Sequence, residues 1–367
     1  MLKKYPILKW SLIGLSTLIV LLFGFGWWFM SLIPEKDETV DITAVQAVDL
    51  PYLTQNIPAA RGKVLAVVTS ESTMGNSGKS TGYELTELSR AYYVFQANGF
   101  EVDIASPRGG EPKVVIDDED MGVFDFAFLN DSVAQKKALN TIPVEKIIPS
   151  DYEAVFFVGG KGAMFDFPDN KAIQRIVREL YQADRVVGAV CHGPAALVNV
   201  TLDDGSHLLK EKSVSGFTND EELLLIPEAK DIFPFLLQDK LVAQGARFNE
   251  GGMYLEQISK DRNLVTGQNP WSTWKMAETM IEAMGYVPKQ RTLTSEENAV
   301  KVLIKYQTEG AQGAKALIHE MHVEQGMEIE RVLIAKHSLI AAMQGNMGQF
   351  FGLVGLTSHI KRIAQRK

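Results

Sequence analysis

The sequence contains a single cysteine, Cys191, among 367 residues. One cysteine excludes an intramolecular disulfide and any zinc cluster built from several cysteines. Six histidines are present, but none forms the His-x-x-x-His spacing of a metal-binding helix. The sequence therefore gives no support for a bound metal.

An excess of positive charge is also missing. The formal net charge is −8, and acidic and basic residues alternate through most of the chain. A nucleic-acid-binding surface needs clustered lysine and arginine, so we expect no nucleic-acid partner. Hydrophobic residues make up 46% of the chain, which is enough for one large domain with an appendage or for two modest domains.

Charged residues are absent from 10–33, which is the longest apolar run in the chain. At about 1.5 Å per helical residue such a run crosses a hydrocarbon core of about 30 Å. Lysines precede it and acidic residues follow it, which predicts a single-pass membrane anchor. The tail 1–9 would then be cytoplasmic and the rest extracytoplasmic. A cleavable signal peptide is the alternative, although the run ends in WWFMSLI rather than in small residues.

A tether over 34–60 is predicted to precede an α/β catalytic domain over 61–288. Short apolar runs rich in valine alternate there with helical patterns, which is typical of a parallel sheet covered on both faces. The main runs predicted as strands are Lys63–Thr69, Glu101–Ala105, Ala154–Val158 and Val186–Val190. Apolar residues then recur at helical spacing over 289–367, which predicts an all-helical extension.

Cys191 follows the strand run in the segment VVGAVCHGPAAL. Gly188 and Gly193 flank it, which resembles the tight turn that exposes a nucleophile between a strand and a helix. The amino terminus of that helix would lower the thiol pKa and offer N–H groups to an oxyanion. A buried structural cysteine is the alternative.

Several motifs occur in a fixed order around this turn. They are TGYELTE at 81–87, FFVGGKGAMFDFPDN at 156–170, AVCHGPAAL at 189–197, SGFTNDEE at 215–222 and LVTGQNPWS at 264–272. Together they resemble the ThiJ/PfpI superfamily, in its heat-shock chaperone and glyoxalase III branch. The resemblance covers about 61–285 and implies a flavodoxin-like three-layer α/β sandwich of the glutamine amidotransferase type.

The resemblance implies a catalytic set. Glu87 takes the position of the family's acid that bonds the nucleophilic sulfur, whereas Glu84 lies outside that register. Cys191 and His192 match the Cys-His pair, and the third acid falls on Glu222.

Three further points concern the same site. Glu221 is the alternative for the third acid. Because neighbouring residues on a helix do not face each other, His192 need not be the direct base of Cys191. The oxyanion hole would use the N–H groups of Gly160 and His192. Lys161 stands where the family usually has histidine, so this chain departs from the family pattern at a position implied to contact substrate.

The implied activity is conversion of a small 2-oxoaldehyde such as methylglyoxal into a 2-hydroxy acid, or a related deglycase or hydrolase reaction. It would need no metal, glutathione, nucleotide or other cofactor. The alternatives are a holdase chaperone and a redox-sensing protein. A homodimer is compatible with the sequence.

Overall fold

Four buried apolar segments form the centre of one twisted sheet. In the computed structural model, which describes residues 6–34, 41–117 and 120–365, the sheet order is β10-β11-β7-β6-β1-β3-β5. All neighbouring pairs are parallel except β10 with β11. The strands are β1 (Lys63–Val67), β2 (Tyr83–Glu84), β3 (Glu101–Ser106), β4 (Val114–Val115), β5 (Ile142–Pro143), β6 (Ala154–Phe157), β7 (Val186–Val190), β8 (Ser213–Val214), β9 (Arg247–Phe248), β10 (Ile258–Asp261) and β11 (Leu264–Gly267).

Helices cover the sheet because its central strands are largely apolar and buried, and so need cover on both faces. The helices are α1 (Pro6–Met30), α2 (Pro51–Thr54), α3 (Leu85–Ala97), α4 (Val123–Asn130), α5 (Ser132–Leu139), α6 (Ala163–Asp166), α7 (Lys171–Gln182), α8 (Asn219–Leu225), α9 (Ala229–Ile232), α10 (Leu237–Ala243), α11 (Thr273–Ala283), α12 (Ser295–Ile318), α13 (Arg331–Met343) and α14 (Met347–Ala364). The helix α3 is almost wholly buried, since it packs against α4 and α11 as well as the sheet. The predicted parallel α/β sheet is thus present.

The strand order reverses next to β1, which lies between β3 and β6. Chain segments leave the carboxyl ends of neighbouring strands in opposite directions at such a point, and this opens a crevice. The segments after β1, β6 and β7 meet at this edge. The crevice is therefore where a ligand site is expected.

The chain divides into two compact units, Val40–Arg291 and Met1–Thr39 with Thr292–Lys367. The first contains the sheet. The first residues of this unit belong to the segment 34–60, which the sequence predicts to be a tether. Residues 35–40 of that segment lie outside the described residues. Val45, Leu50 and Leu53 from this segment pack against the core of the α/β unit.

The second unit is helical and contains α1, α12, α13, α14 and a π-helix at His319–Glu324. Its core includes side chains from both ends of the chain. Phe29 and Leu32 are buried with residues of the carboxyl-terminal helices: Ala335, Ala341, Phe350 and Val354.

The prediction of a membrane anchor at 10–33 is wrong. Among the residues that the structure describes, no helix has the length and apolar character needed to cross a bilayer. The carboxyl end of α1 instead contributes to the helical core, where the rings of Phe25 and Phe350 lie 6.1 Å apart. The predicted cytoplasmic tail 1–9, of which 1–5 lie outside the described residues, and the extracytoplasmic catalytic domain depended on that anchor. Those two predictions are wrong for the same reason.

Candidate active site

Cys191 lies at the carboxyl end of β7 with a backbone φ of +58°. This left-handed conformation is unfavourable for a residue with a side chain, so the surrounding structure must hold it. The Cys191 N–H donates to Gly267 O at 3.0 Å, and its carbonyl accepts from the Phe217 N–H at 2.9 Å. A Cβ on Gly193 would lie 2.3 Å from Phe157 O, so only glycine fits the next turn. The structure therefore has the strained turn that the sequence predicts.

Glu87 lies in the first turn of α3, and its side chain is completely buried beside Cys191. The Gly159 N–H donates to Glu87 Oε2 at 2.6 Å. A Cβ on Gly159 would lie 2.5 Å from that oxygen and 2.7 Å from the Cys191 Cβ. The close approach of carboxyl and nucleophile thus depends on glycine at 159.

Burial raises the pKa of Glu87 well above its usual range, and the charge of Glu84 adds to this, while hydrogen bonds with Cys191 and Gly159 oppose it. Burial also raises the pKa of the Cys191 thiol, with the Glu87 and Glu84 charges acting in the same direction. The sequence argument expects the opposite for the thiol, from a helix amino terminus. The segment that follows is only a five-residue 3-10 helix, Gly193–Leu197, so its dipole is small beside the burial.

His192 links the nucleophile to a second acid. Its Nδ1 lies 3.3 Å from Cys191 Sγ, and its Nε2 lies 2.5 Å from Glu222 Oε2. The contact between neighbouring residues is made because Cys191 is not helical, so the expectation that they would not face each other is wrong. Burial alone would raise the pKa of Glu222, but the charge and hydrogen bond of His192 hold it below the usual value.

Aromatic rings fix the imidazole plane. The Phe217 ring lies 4.5 Å from the His192 ring at an angle of 33°, and the Phe233 ring lies 6.2 Å away. Stacking of this kind restricts rotation of the imidazole, so its two nitrogens stay directed at Cys191 and Glu222.

The N–H groups of Gly160 and His192 are the backbone donors that the resemblance implies for an oxyanion hole. Within the described ranges, neither N–H donates to a protein acceptor. Gly160 has a φ of +102°, and a Cβ there would lie 2.3 Å from Gly82 O. Glycine at 160 therefore lets the backbone keep this conformation beside the nucleophile.

Two charged residues at the site, Glu84 and Lys161, have no catalytic role predicted from the sequence. Glu84 lies at the start of α3, and burial raises its pKa while the charges of Lys161 and His192 lower it. The Lys161 charge also lowers the pKa of Cys191. A spacing of three residues, which places Glu84 one helical turn before Glu87, is the only sequence signal for its proximity.

Glu221, the alternative third acid, does not contact His192. Its carboxyl group is completely buried and accepts hydrogen bonds from Thr218, Tyr254, Gln268 and Asn269. The structure thus places the Glu222 carboxyl group against the imidazole, whereas the Glu221 carboxyl group contacts Tyr254, Gln268 and Asn269 instead.

Fold and site together define a class: a flavodoxin-like α/β protein with a cysteine at the carboxyl edge of its parallel sheet, a neighbouring histidine and two buried acids. The model of the DJ-1/PfpI family matches residues 79–219. The chain is 36% identical to Glyoxalase 3 of Candida albicans over 241 residues, covering 60% of this chain and 98% of that protein. It is 33% identical to the glutathione-independent glyoxalase HSP31 of Saccharomyces cerevisiae, with 60% and 98% covered.

Solved structures agree. Rapid Encystment Protein 24 kDa of Francisella tularensis has a TM-score of 0.58 and 34% identity, covering 61% of this chain and 99% of that one. Glyoxalase III of Candida albicans has a TM-score of 0.54 and 29% identity, covering 62% and 98%. The chain belongs to the DJ-1/PfpI family, in the branch of the glutathione-independent glyoxalases. The predicted family and the prediction of an enzyme of this type are confirmed.

Proposed function

We propose that this enzyme converts 2-oxoaldehydes such as methylglyoxal into 2-hydroxy acids without glutathione, with Cys191 as the nucleophile. The observation that carries the proposal is the placement of the Glu87 carboxyl group, buried between the Gly159 N–H and the Cys191 side chain. A carboxyl group at that position reaches both carbons of a dicarbonyl bound to the sulfur. The names of the relatives support the same reaction.

The first step is addition of sulfur to the aldehyde carbon. The thiol proton passes to His192 Nδ1, which lies 3.3 Å from the sulfur, and the Glu222 carboxylate balances the imidazolium charge. The carbonyl oxygen becomes an oxyanion that accepts from the N–H groups of Gly160 and His192. The His192 imidazolium then gives the thiol proton to that oxygen, which yields a hemithioacetal and restores the neutral imidazole.

The second step moves hydrogen between the two carbons. The Glu87 carboxylate takes the proton from the former aldehyde carbon, giving an enediolate, and then returns it to the neighbouring carbon. The hydroxyl proton of the former aldehyde carbon passes through His192 to the oxygen of the neighbouring carbon, so that the first oxygen becomes the carbonyl of the product. The product is a thioester of the 2-hydroxy acid on Cys191. Burial raises the pKa of Glu87, so its carboxylate is a stronger base than an exposed one.

In the third step water hydrolyses the thioester. His192, held by Glu222, takes a proton from the attacking water and delivers it to the leaving sulfur. The 2-hydroxy acid leaves and the thiol is restored. Atoms balance with one dicarbonyl and one water consumed per hydroxy acid formed.

The test uses the purified full chain with methylglyoxal and no glutathione, and chromatography to measure lactate. We expect turnover that Cys191→Ala and Glu87→Gln each reduce by about a thousandfold. The matched control is Asp220→Asn, an exposed acid on α8, which should keep wild-type turnover. Lactate formation that both site variants retain would overturn the proposal, as would suppression of protein aggregation without any turnover.

A further inference from the structure

We propose that Glu221 is a positioning residue: its buried carboxylate joins the two segments that frame Cys191 and so holds Glu222 against His192. The inference rests on the proposed function of the Cys191 site. Glu221 does not touch the nucleophile or the imidazole. Its effect on the reaction would pass through Glu222, the next residue along α8.

The Glu221 carboxylate accepts hydrogen bonds from three parts of the chain. Oε1 accepts from Tyr254 N at 2.7 Å, Asn269 Nδ2 at 2.9 Å and Gln268 Nε2 at 3.0 Å. Oε2 accepts from the N–H of Thr218 at 3.0 Å and from its hydroxyl at 3.1 Å. These donors satisfy both oxygens, so the side chain has one arrangement in which every polar atom is paired.

The segments joined in this way are the same ones that hold Cys191. Gly267, which accepts from the Cys191 N–H, directly precedes Gln268. Phe217, whose N–H donates to the Cys191 carbonyl, directly precedes Thr218. Glu221 therefore connects the two sides of the Cys191 backbone to one carboxylate and fixes where α8 begins.

A buried carboxylate is costly unless its environment compensates for lost hydration. Within the described ranges, no lysine, arginine or histidine forms an ion pair with Glu221, and neutral donors replace one. A carboxylate held by five directed donors is more rigid than one held by a single mobile cation. That rigidity is transmitted to Glu222 because the two are consecutive in the first turn of α8.

Glu221→Gln tests the positioning role. Its amide nitrogen replaces one accepting oxygen and directs two protons at groups that are themselves hydrogen-bond donors. We expect kcat to fall by about tenfold while KM stays within about twofold, since Glu222 would no longer be held against His192. The alkaline and acid limbs of the kcat profile should shift. A low-field proton resonance of the His192–Glu222 hydrogen bond, identified by its loss in Glu222→Gln, should move upfield or vanish. Asp220→Asn is the matched control and should alter none of these.

Gln268→Leu is the milder variant if Glu221→Gln fails to fold. It removes one donor to Oε1, together with the Gln268 hydrogen bonds to Gly251 and Gly252, and should shift the same resonance by a smaller amount. The resonance is measured without substrate, so it tests the positioning role of Glu221 alone. The proposed function fails separately, if the wild-type protein makes no hydroxy acid. A folded Glu221→Gln or Gln268→Leu with an unchanged resonance and pH profile would overturn the positioning role.

Discussion

Glu87 and Glu222 are both buried carboxyl groups of the Cys191 site, yet their surroundings act on them in opposite ways. Glu87 faces a thiol and a backbone N–H, and burial raises its pKa well above the usual range. Glu222 faces His192 at 2.5 Å, and its pKa lies below the usual value in spite of burial. Two acids with pKa values pushed apart can divide the work, one exchanging protons and the other staying ionised.

The same two acids also bear on the protonation state of Cys191 in the free enzyme, where the sulfur is a thiol rather than an activated thiolate. Burial and two nearby carboxyl groups keep the thiol protonated to a higher pH than usual. In the proposed mechanism, the reaction therefore depends on His192 receiving the thiol proton as sulfur adds to the carbonyl. A site of this kind protects its cysteine when no substrate is present.

The largest predicted effect comes from Glu87→Gln. Turnover should fall by about a thousandfold, because an amide cannot exchange the carbon-bound proton. Alkylation of Cys191 by iodoacetamide at pH 7 should become faster, because the Glu87 charge no longer raises the thiol pKa. Because unfolding would also expose the buried Cys191 thiol and speed alkylation, the variant must show the circular dichroism spectrum and melting temperature of the wild type. A variant in which both rates fall together would contradict the assignment of Glu87.

Glu222→Gln should lower kcat by about 10- to 100-fold, as removal of a partner that orients a catalytic group commonly does. Stability gives a second readout. Because the pKa of Glu222 is lowered in the folded protein, its contribution is present above the ordinary glutamate pKa and is lost as pH falls through the lowered value. The difference in melting temperature between wild type and variant should thus be largest near neutral pH. An equal difference at every pH would argue against the ion pair.

Lys161→Met should act on the thiol in the direction opposite to Glu87→Gln. The Lys161 charge lowers the pKa of Cys191, so its removal should slow alkylation at pH 7 by about threefold. Lys136→Met, at an exposed position on α5, is the control for a lost positive charge. Faster alkylation in Lys161→Met would show that the lysine does not act electrostatically on the sulfur.

The smallest effect on turnover is expected for Asp166, an acid on α6 without an ion-pair partner among the described residues. Burial raises its pKa to about 7, against hydrogen bonds from the Ser70 N–H and the Thr69 hydroxyl. A raised pKa gives a contribution that is complete at low pH and is lost as pH rises through about 7. In Asp166→Asn the amide oxygen can accept from the Ser70 N–H while the amide nitrogen donates to the Thr69 hydroxyl. The variant should gain about 3 kcal/mol over wild type between pH 5 and pH 8, because about two pH units of that interval lie below the raised pKa. Thermal unfolding at the two pH values checks this.

Local sequence was sufficient for the central strands and for the strained turn. The apolar runs at β1, β3, β6 and β7 are typical of buried parallel strands, and Gly193 marks the turn after Cys191. Glu87 and Glu222 were placed by motif order. Their opposite environments depend on Gly159 and His192, whose contacts join residues far apart in the chain.

The rest depended on packing that no local pattern encodes. The run at 10–33 is apolar enough to suggest a bilayer, whereas Phe29 and Leu32 at its far end are buried among helices some 300 residues later. The hydrogen bonds of Glu221 likewise join segments that are distant in sequence. Glu84 could be placed near Glu87 by helical spacing, but its effect on Cys191 needed the folded site.

Conversion of methylglyoxal in D₂O tests the central claim most directly, because it follows the hydrogen that Glu87 would move. The carboxyl proton of Glu87 exchanges with solvent during the enediol step, so the lactate should carry solvent deuterium at its second carbon. Glu87→Gln should make almost no lactate. Wild-type lactate without deuterium at that carbon would contradict a proton transfer by Glu87. Lactate formed by Glu87→Gln at the wild-type rate would contradict it as well.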